Sequence, residues 1–448
     1  MVYMDISVIV PVYNCKKFVG EAIECLQNQT MPNFEVIFID DCSDDGTSVI
    51  LERAVSLDVR FRYYRNEVRK GAAISRNKGI ELSQGAYILC LDADDRYEAD
   101  LLEQLISVAH ENDADMVMLE RNDFYGDNIN SIKRDSTRFL DEKQLLAGQV
   151  FSVQDKPIDF FLRCQNGTCD RMIRKELLDK YQIRFQDLKN SNDVFYILVS
   201  TFAAKKIVHT KTFDSLYHRR VHNEPGRISN SRDPMCAFEA LQEVFHFLKR
   251  ENMWEIYCVY FWVFALDSLE RQLFVCKDEN RQKEVYQYIV EEGLKKLGVE
   301  QDEQYDKLPL VFKKQYSRIF NTPYEEKCFL KTMSMVAVCE LYGNRIKMLV
   351  ERVGSDSVAF WGAGRTTDAY LHFYIQQKGS VSYIIDNDIQ KQGIWIENVE
   401  VVAFENVQDK VDTVLISNRL YYDEIKKQID EKNDKIKGLS FEEALYLE

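Results

Sequence analysis

Leu89-Cys90-Leu91-Asp92-Ala93-Asp94-Asp95 is the stretch on which the reading of this chain turns. The apolar run from Tyr87 to Leu91 reads as a buried strand, and three carboxylates stand at its end. Burying charge is costly unless a cation or hydrogen-bond donors compensate it, so the cluster needs a partner. Carboxylate oxygens at the C-terminal edge of a strand suit a hard divalent cation. Magnesium in particular is shared between one or two carboxylates and substrate phosphates. Standing alone, an Asp-x-Asp-Asp would be a solvated acidic turn, and its neighbours in the sequence change that balance.

Working outward, the first hundred residues alternate strand and helix. Ser7-Val-Ile-Val-Pro-Val12 is a β-branched run of the kind covered on both faces. Phe34 to Ile39 is a second strand, followed by the polar turn Asp40-Asp41-Cys42-Ser43-Asp44-Asp45-Gly46-Thr47. Helices are expected over Glu21–Gln29, Thr47–Leu57 and Ala72–Leu82, with a short strand at Phe61–Arg65. Such alternation implies an α/β layer around a mainly parallel sheet. Ligands bind at the carboxyl ends of such strands. Tyr13-Asn14, Asp40-Asp41 and Asp92–Asp95 all fall at strand ends and should line one crevice.

The wider chain has 448 residues, enough for two or three domains. Its composition is 46% hydrophobic and 29% charged, with a net charge of −15. That balance argues against nonspecific nucleic-acid binding and against an electrostatic grip on anionic lipid. The longest apolar run, Ile256 to Leu266, is well short of the ~20 residues that span a bilayer. No N-terminal signal is read, and no transmembrane segment is expected. The 11 cysteines show no Cys-x-x-Cys pair and read as reduced, core-filling thiols. We expect a cytoplasmic protein working at the inner face of the membrane by peripheral contact. From Pro234 an amphipathic pattern begins, with Ala237, Phe238, Leu241, Val244, Phe245 and Leu248 on one face. From Ser357 strand–helix alternation resumes. The expected parts are therefore an N-terminal domain over 1–234, a helical domain or connector over 235–350 and a second α/β domain over 351–448.

The N-terminal motifs resemble family 2 nucleotide-sugar glycosyltransferases. They are Ser7-Val-Ile-Val-Pro-Val-Tyr-Asn14, Glu35-Val-Ile-Phe-Ile-Asp-Asp-Cys-Ser-Asp-Asp-Gly-Thr47, Gly71-Ala-Ala-Ile-Ser-Arg-Asn-Lys-Gly79 and Gly85-Ala-Tyr-Ile-Leu-Cys-Leu-Asp-Ala-Asp-Asp95. Four motifs in order make the match specific, over about the first half of the chain. The resemblance implies a GT-A fold and transfer of a sugar from a nucleotide donor, UDP above all, with inversion and with Mg2+ or Mn2+. It places Pro11, Tyr13, Asp40, Asp41, Arg76 and Asp92 at the nucleotide and Asp94 on the metal. Asp40 has a rival reading as a turn cap, Lys78 reads as a solvated helix position, and Asp95 as a support or a helix cap.

Further along, Asp193 in Lys189-Asn-Ser-Asn-Asp-Val-Phe-Tyr196 matches the family's catalytic base. Its rival role is N-cap of a helix over Val194–Ala203. Tyr217-His-Arg-Arg-Val-His222 resembles a family Tyr-x-x-Arg-x-His stretch, which brings His222 in as a second metal ligand beside a plain reading as a basic loop. Asp170-Arg171 departs from the family's usual Asn-Lys, which points to an altered acceptor side. Expected partners are a nucleotide-sugar donor and a glycan, lipid-linked saccharide or glycoprotein acceptor of bacterial surface polysaccharide or glycoconjugate synthesis, with no nucleic acid. A homo-oligomer is also expected.

The C-terminal part carries Phe360-Trp-Gly-Ala-Gly-Arg-Thr-Thr367 after a strand, with Asp386 about 20 residues on. Gly362, Gly364 and Asp386 thus form a candidate second nucleotide site on a Rossmann-like unit. Thr367 stands where the dinucleotide fingerprint wants glycine or alanine. Two other readings stay open at this point: an NAD-dependent oxidoreductase using that turn, and a noncatalytic scaffold that binds nucleotide sugars.

Overall fold

The computed structural model describes residues 4–119, 121–125, 133–134, 149–156, 160–163, 167–210, 216–221, 233–276, 278–299, 308, 343–354, 356–363, 367, 370–371, 374–375, 377–389, 391–417 and 422–441. The chain divides into two compact units, Met1–Lys307 and Leu308–Glu448.

The first unit is a mixed α/β body. Its strands are β1 (Met4–Val12), β2 (Phe34–Asp40), β3 (Phe61–Arg65), β4 (Gly85–Cys90), β5 (Arg96–Tyr97), β6 (Met116–Met118), β7 (Arg121–Tyr125), β8 (Lys133–Arg134), β9 (Val150–Phe151), β10 (Arg171–Arg174), β11 (Ile207–His209) and β12 (Tyr217–Val221). The main sheet runs β3-β2-β1-β4-β10-β6-β11-β9, and a smaller one runs β5-β12-β7-β8. β1 lies parallel to β2 and to β4, whereas β10 is antiparallel to both β4 and β6. The chain steps from β1 outward to β3 and then returns to the other side of β1 with β4. That reversal makes the β1–β4 boundary a topological switch point, where open α/β sheets bind ligands.

Every residue of β2 is buried, which explains why it reads as an unbroken apolar run rather than an alternating one. Helices α1 (Val19–Gln27), α2 (Thr47–Leu57), α3 (Ala72–Leu82) and α4 (Leu101–Asn112) follow the first four long strands. α3 sits especially close to the sheet. A Cβ on Gly79 would come 2.3 Å from Ile9 Cγ2, so only glycine permits this approach. The helix carries Arg76 in with it.

Pro11 shapes the same edge. The β1–β4 ladder ends at the pair Ile9–Cys90, while β1–β2 pairing continues to Val12–Asp40. Pro11 therefore lies past the β4 ladder, where its missing N–H costs no bond on that side. Beyond it the ends of β1 and β4 are free to part.

After α5 (Val194–Ala203) come α6 (Pro234–Arg250), α7 (Trp254–Val275) and α8 (Glu279–Tyr288). α6 has Pro234 at its first turn and a capping bond from Met235 N–H to Asp233 Oδ1 at 3.0 Å. Its apolar stripe buries Phe238, Leu241, Val244 and Leu248. Among the described residues no helix is long and apolar enough to cross a membrane. Residues 300–307 and 309–342 lie outside the described residues.

The second unit is built on a six-stranded sheet. Its strands are β13 (Val358–Trp361), β14 (Tyr383–Ile385), β15 (Trp395–Ile396), β16 (Val399–Val402), β17 (Thr413–Ile416) and β18 (Lys437–Ser440), in the order β15-β16-β14-β13-β17-β18. All pairs are parallel except β15 with β16. Alternate residues feed two cores, one holding Phe360, Tyr374 and Phe441 and the other Trp361, Phe404 and Ile429.

Candidate active site

The loops after β1 and β2 are tied together by short polar bonds. Asn14 and Asp44 exchange a pair, Nδ2 to Oδ1 at 2.8 Å and Asp44 N–H to Oδ1 at 2.9 Å. The backbone N–H groups of Asn14, Cys15 and Lys16 donate to Ser43 Oγ, Thr47 Oγ1 and Asp45 Oδ2, each at 3.0 Å. These bonds tie the ends of β1 and β2 together at the carboxyl edge of the sheet. At this edge Tyr13 is 40% exposed, with the Arg69 guanidinium 4.1 Å from its ring centre.

Asp40 and Asp41 turn out to be unlike each other. Asp40 is fully buried and accepts from Ser43 N–H (2.8 Å), Tyr63 Oη (2.9 Å) and Arg65 (3.4 Å). It caps its own turn, the rival reading the sequence left open. Asp41 Oδ1 accepts from Asn66 Nδ2 (2.9 Å) and Lys70 N–H (2.8 Å), and its Oδ2 from Gly71 N–H (2.7 Å). Asp41 thus fixes the segment that leads into α3. Lys78 donates to Asn66 at 3.1 Å rather than standing in solvent.

Arg76 lies on the sheet-facing side of α3 and is only 8% exposed. Its guanidinium donates to Asp92 Oδ1 at 2.7 Å and lies 5.4 Å from the Phe185 ring centre. A buried guanidinium needs such a partner, because an unpaired charge there is costly. Carboxylate oxygens of Asp92, Asp94 and Asp95 lie within 4.8 Å of one another. The three differ in surroundings. Asp92 and Asp94 are half-buried, while Asp95 is 2% exposed.

Both Asp95 oxygens are already engaged. Tyr217 Oη donates to Oδ2, and Arg220 N–H donates to Oδ1 at 2.7 Å. Burial, reinforced by the charges of Asp94 and Asp92, holds its carboxyl well above the usual carboxylate range. Arg220 is a keystone for this loop. Its guanidinium is fully buried between the rings of Phe18 and Phe124, donates to the Asp94 carbonyl at 2.9 Å and pairs with Glu21. Tyr97, stacked on Tyr217, donates to the Asp92 carbonyl. Tyr217 and Arg220 stand in the quoted Tyr-x-x-Arg-x-His stretch, but their supporting bonds to Asp95 and Asp94 cross more than a hundred residues of chain and are not visible from motif reading.

Thiols surround the cluster without serving it. The Cys15 thiol is pushed up to about 12 by burial and by the charges of Asp94 and Asp45. Cys169 is likewise raised by burial and then by Asp92. Burial and the nearby carboxylates thus disfavour a thiolate at both positions. Every cysteine among the described residues is a free thiol.

Asp193 occupies the N-cap position of α5, yet its side chain makes no capping bond. Its carboxyl is raised above the usual range by burial, partly offset by the charges of Arg76 and Arg171. Arg76 and Asp92 both act on it electrostatically, so the structure brings Asp193 into the neighbourhood of the acidic cluster. The segment before it is pinned to α3 by Asn77, and Phe185 stacks on Tyr196 with ring centres 4.1 Å apart.

Asp170 and Arg171 are buried partners of one another. Arg171 donates to Asp170 Oδ1 at 3.1 Å and to Thr201 Oγ1 at 3.0 Å, tying β10 to α5. His222 and Gly364 lie outside the described residues. In the second unit Gly362 has φ = 107°, a conformation that favours glycine. Asp386 accepts from Ala363 N–H (2.7 Å), Asp388 N–H (2.9 Å) and Lys391 Nζ (3.2 Å), so it braces the glycine turn beside it.

Comparison with known proteins agrees with this geometry. Residues 7–181 match the family model described as glycosyl transferase family 2. Glycosyltransferase GlyG of Streptococcus pneumoniae serotype 4 is 31% identical over 230 residues, covering 48% of this chain and 71% of GlyG. The chain belongs to glycosyl transferase family 2. That membership supports the glycosyltransferase reading over the oxidoreductase and scaffold ones. EpsH of Bacillus subtilis is 28% identical over 226 residues, 48% of this chain. The transferase spans 61% of the length of EpsH, less than two thirds. The crystal structure of S. aureus TarS 1–349 in complex with UDP-GlcNAc superposes with a TM-score of 0.57 at 18% identity, covering 71% of this chain and 89% of that one. The fold of the first unit is GT-A. Residues 354–437 of the second unit match a family described as C2185-like, N-terminal.

Proposed function

We propose that this enzyme moves a sugar from a UDP-linked donor to an acceptor hydroxyl, with inversion, using Mg2+ or Mn2+. The carrying observation is the pairing of Arg76 with Asp92 beside Asp94, with the uncapped Asp193 in the same electrostatic neighbourhood. The UDP assignment is supported by the likeness to TarS, whose crystal holds UDP-GlcNAc. The acceptor class, a bacterial surface polysaccharide or glycoconjugate, follows the bacterial origin of the relatives.

The donor set fits a divalent ion. Asp92 and Asp94 present hard oxygens close together, whereas Asp95 is taken by Tyr217 and Arg220. Arg76 compensates only part of the local negative charge, so Asp92 and Asp94 would hold a divalent cation favourably. When bound, it stabilises charge on the departing diphosphate.

Asp193 takes the acceptor hydroxyl proton. The acceptor oxygen bonds to the anomeric carbon as the bond from that carbon to the diphosphate oxygen breaks, and UDP leaves with the electron pair. One displacement gives inversion. A raised carboxyl suits this duty, since a base works best with a pKa near the working pH. Tyr13 and Arg69 offer planar faces for the nucleobase. Asp41 contributes by fixing the Lys70–Gly71 backbone, and Arg76 by orienting Asp92.

A thermal-shift panel of UDP-glucose, UDP-galactose, UDP-N-acetylglucosamine and UDP-N-acetylgalactosamine, run beside GDP-glucose and GDP-mannose, with and without Mn2+, tests this reading. The donor raises Tm only with the metal, since a bound ligand stabilises by RT ln(1 + [L]/Kd). Equal shifts with GDP-linked sugars would refute the UDP assignment.

A further inference from the structure

We infer that the helices after residue 233 hold the proposed base in place, through a clamp between Asn190 and the Asp233 cap of α6. The inference rests on reading Asp193 as the base. Asn190 is 4% exposed. Its Nδ2 donates to the Asp233 carbonyl at 3.2 Å, and Asp233 N–H donates back to its Oδ1 at 2.9 Å. This two-bond grip on the backbone fixes both position and direction.

Asp233 is itself held from further along the chain. Arg281 on α8 donates Nε at 3.2 Å and Nη2 at 3.0 Å to its two carboxylate oxygens. The Asp233 carboxylate also caps α6. A connected path therefore runs from α8 through the α6 cap to Asn190, three residues before Asp193. The other end of the segment is fastened to α3 by Asn77 at Phe185, and Gln186 N–H donates to the Asn192 carbonyl at 3.0 Å.

Backbone strain shows that this fastening does work. Ser191, between Asn190 and Asp193, has φ = 56°. A non-glycine residue in the left-handed region persists when its surroundings over-determine it. The Asp193 carboxylate accepts from its own backbone N–H and makes no capping bond further into α5, so the loop that sets this backbone also sets the carboxylate. Asn190 is thus a positioning residue, and the helical segment is a structural member of the catalytic centre.

The test uses full-length protein with Asn190→Ala, Asn190→Asp and Asp193→Asn. The first removes both bonds, and the second keeps an acceptor for Asp233 N–H. Hydrogen exchange is read over Gln186–Asp193, UDP affinity in Mn2+ by calorimetry, and kcat with whichever of the four UDP-sugars above the wild type hydrolyses or transfers fastest. Asn190→Ala should speed exchange in that segment, leave UDP affinity within about twofold and lower kcat by roughly 10- to 100-fold, as a misplaced group does. Asn190→Asp should fall between it and wild type. Unchanged exchange, unchanged kcat, or a parallel loss of UDP affinity would each overturn the clamp. Turnover that survives in Asp193→Asn defeats the base reading itself. An inactive Asp193→Asn beside an unimpaired Asn190→Ala defeats the clamp alone.

Discussion

Asn77 and Phe185 exchange two hydrogen bonds: Asn77 Nδ2 donates to the Phe185 carbonyl at 2.8 Å, and Phe185 N–H donates to Asn77 Oδ1 at 2.8 Å. Asn77 follows Arg76 on the helix that presses against β1, so this amide joins the donor side of the crevice to the segment carrying Asp193. Asn77→Ala should cost about 1–3 kcal/mol of stability, the range for stranding buried backbone groups. It should also lower kcat more than it weakens UDP binding. Denaturant unfolding alongside a kcat and KM comparison checks both. A loss confined to KM would contradict the assignment.

Arg76 makes a different prediction. Arg76→Gln leaves Asp92 without its cation, so the three carboxylates repel one another more strongly. We expect kcat/KM to fall by about 10²–10³-fold, as for removal of a charge-stabilising donor. Arg76→Lys should recover only part, because a lysine ammonium lacks the planar guanidinium that reaches Asp92 beside Phe185. Steady-state kinetics of the two variants decides this, and equal activities would count against it.

Asp95 should matter for stability before chemistry. Its carboxyl is raised by burial and by Asp94 and Asp92. The stability it contributes is therefore present at low pH and is lost as pH rises through its folded-state pKa. Asp95→Ala removes the acceptor of both Tyr217 Oη and Arg220 N–H. Each stranded group costs about 1–3 kcal/mol, and each kcal/mol lowers Tm by roughly 2–4 °C in a unit of this size. Asp95→Asn keeps an acceptor and gives up the buried charge. It should be the milder change, and its disadvantage should shrink from pH 5 to pH 8 in calorimetric scans.

For Asp193 activity and stability should move in opposite directions. Burial raises its carboxyl, with Arg76 and Arg171 pulling back in part. The folded state holds this proton more tightly than the unfolded chain does, so ionisation at neutral pH costs stability. Asp193→Asn should stop transfer, keep UDP binding and raise Tm slightly at pH 7–8. In the wild type kcat should fall on the acid side with an apparent pKa above the ordinary carboxylate range. A lower Tm together with lost UDP binding would return Asp193 to a purely structural role.

Much of the scaffold was legible in the chain because β-branched runs and helical spacing are local signals. The spans of α2, α3 and β3 match the sequence reading residue for residue. The insertion of antiparallel β10 beside β4 was not readable, since pairing between distant segments leaves no periodicity. The same limit applies to the site. Asp40 and Asp41 look alike in sequence, and their tertiary partners, Tyr63 and Arg65 for one and Asn66 and Gly71 for the other, tell them apart. Asp92, Asp94 and Asp95 could be located from the motif, but their division of labour depends on Arg76, Tyr217 and Arg220 arriving from elsewhere. A local motif names the carboxylates, and the tertiary partners decide which remain available to a cation.

The most direct test of the central claim is calorimetric titration of UDP into wild type and Asp94→Asn, each in Mn2+ and in EDTA. The account predicts tight binding to the wild type that needs Mn2+, and weak binding to Asp94→Asn that is the same in both buffers. Metal-independent UDP binding by the wild type, or Mn2+-dependent binding undiminished in Asp94→Asn, would contradict it.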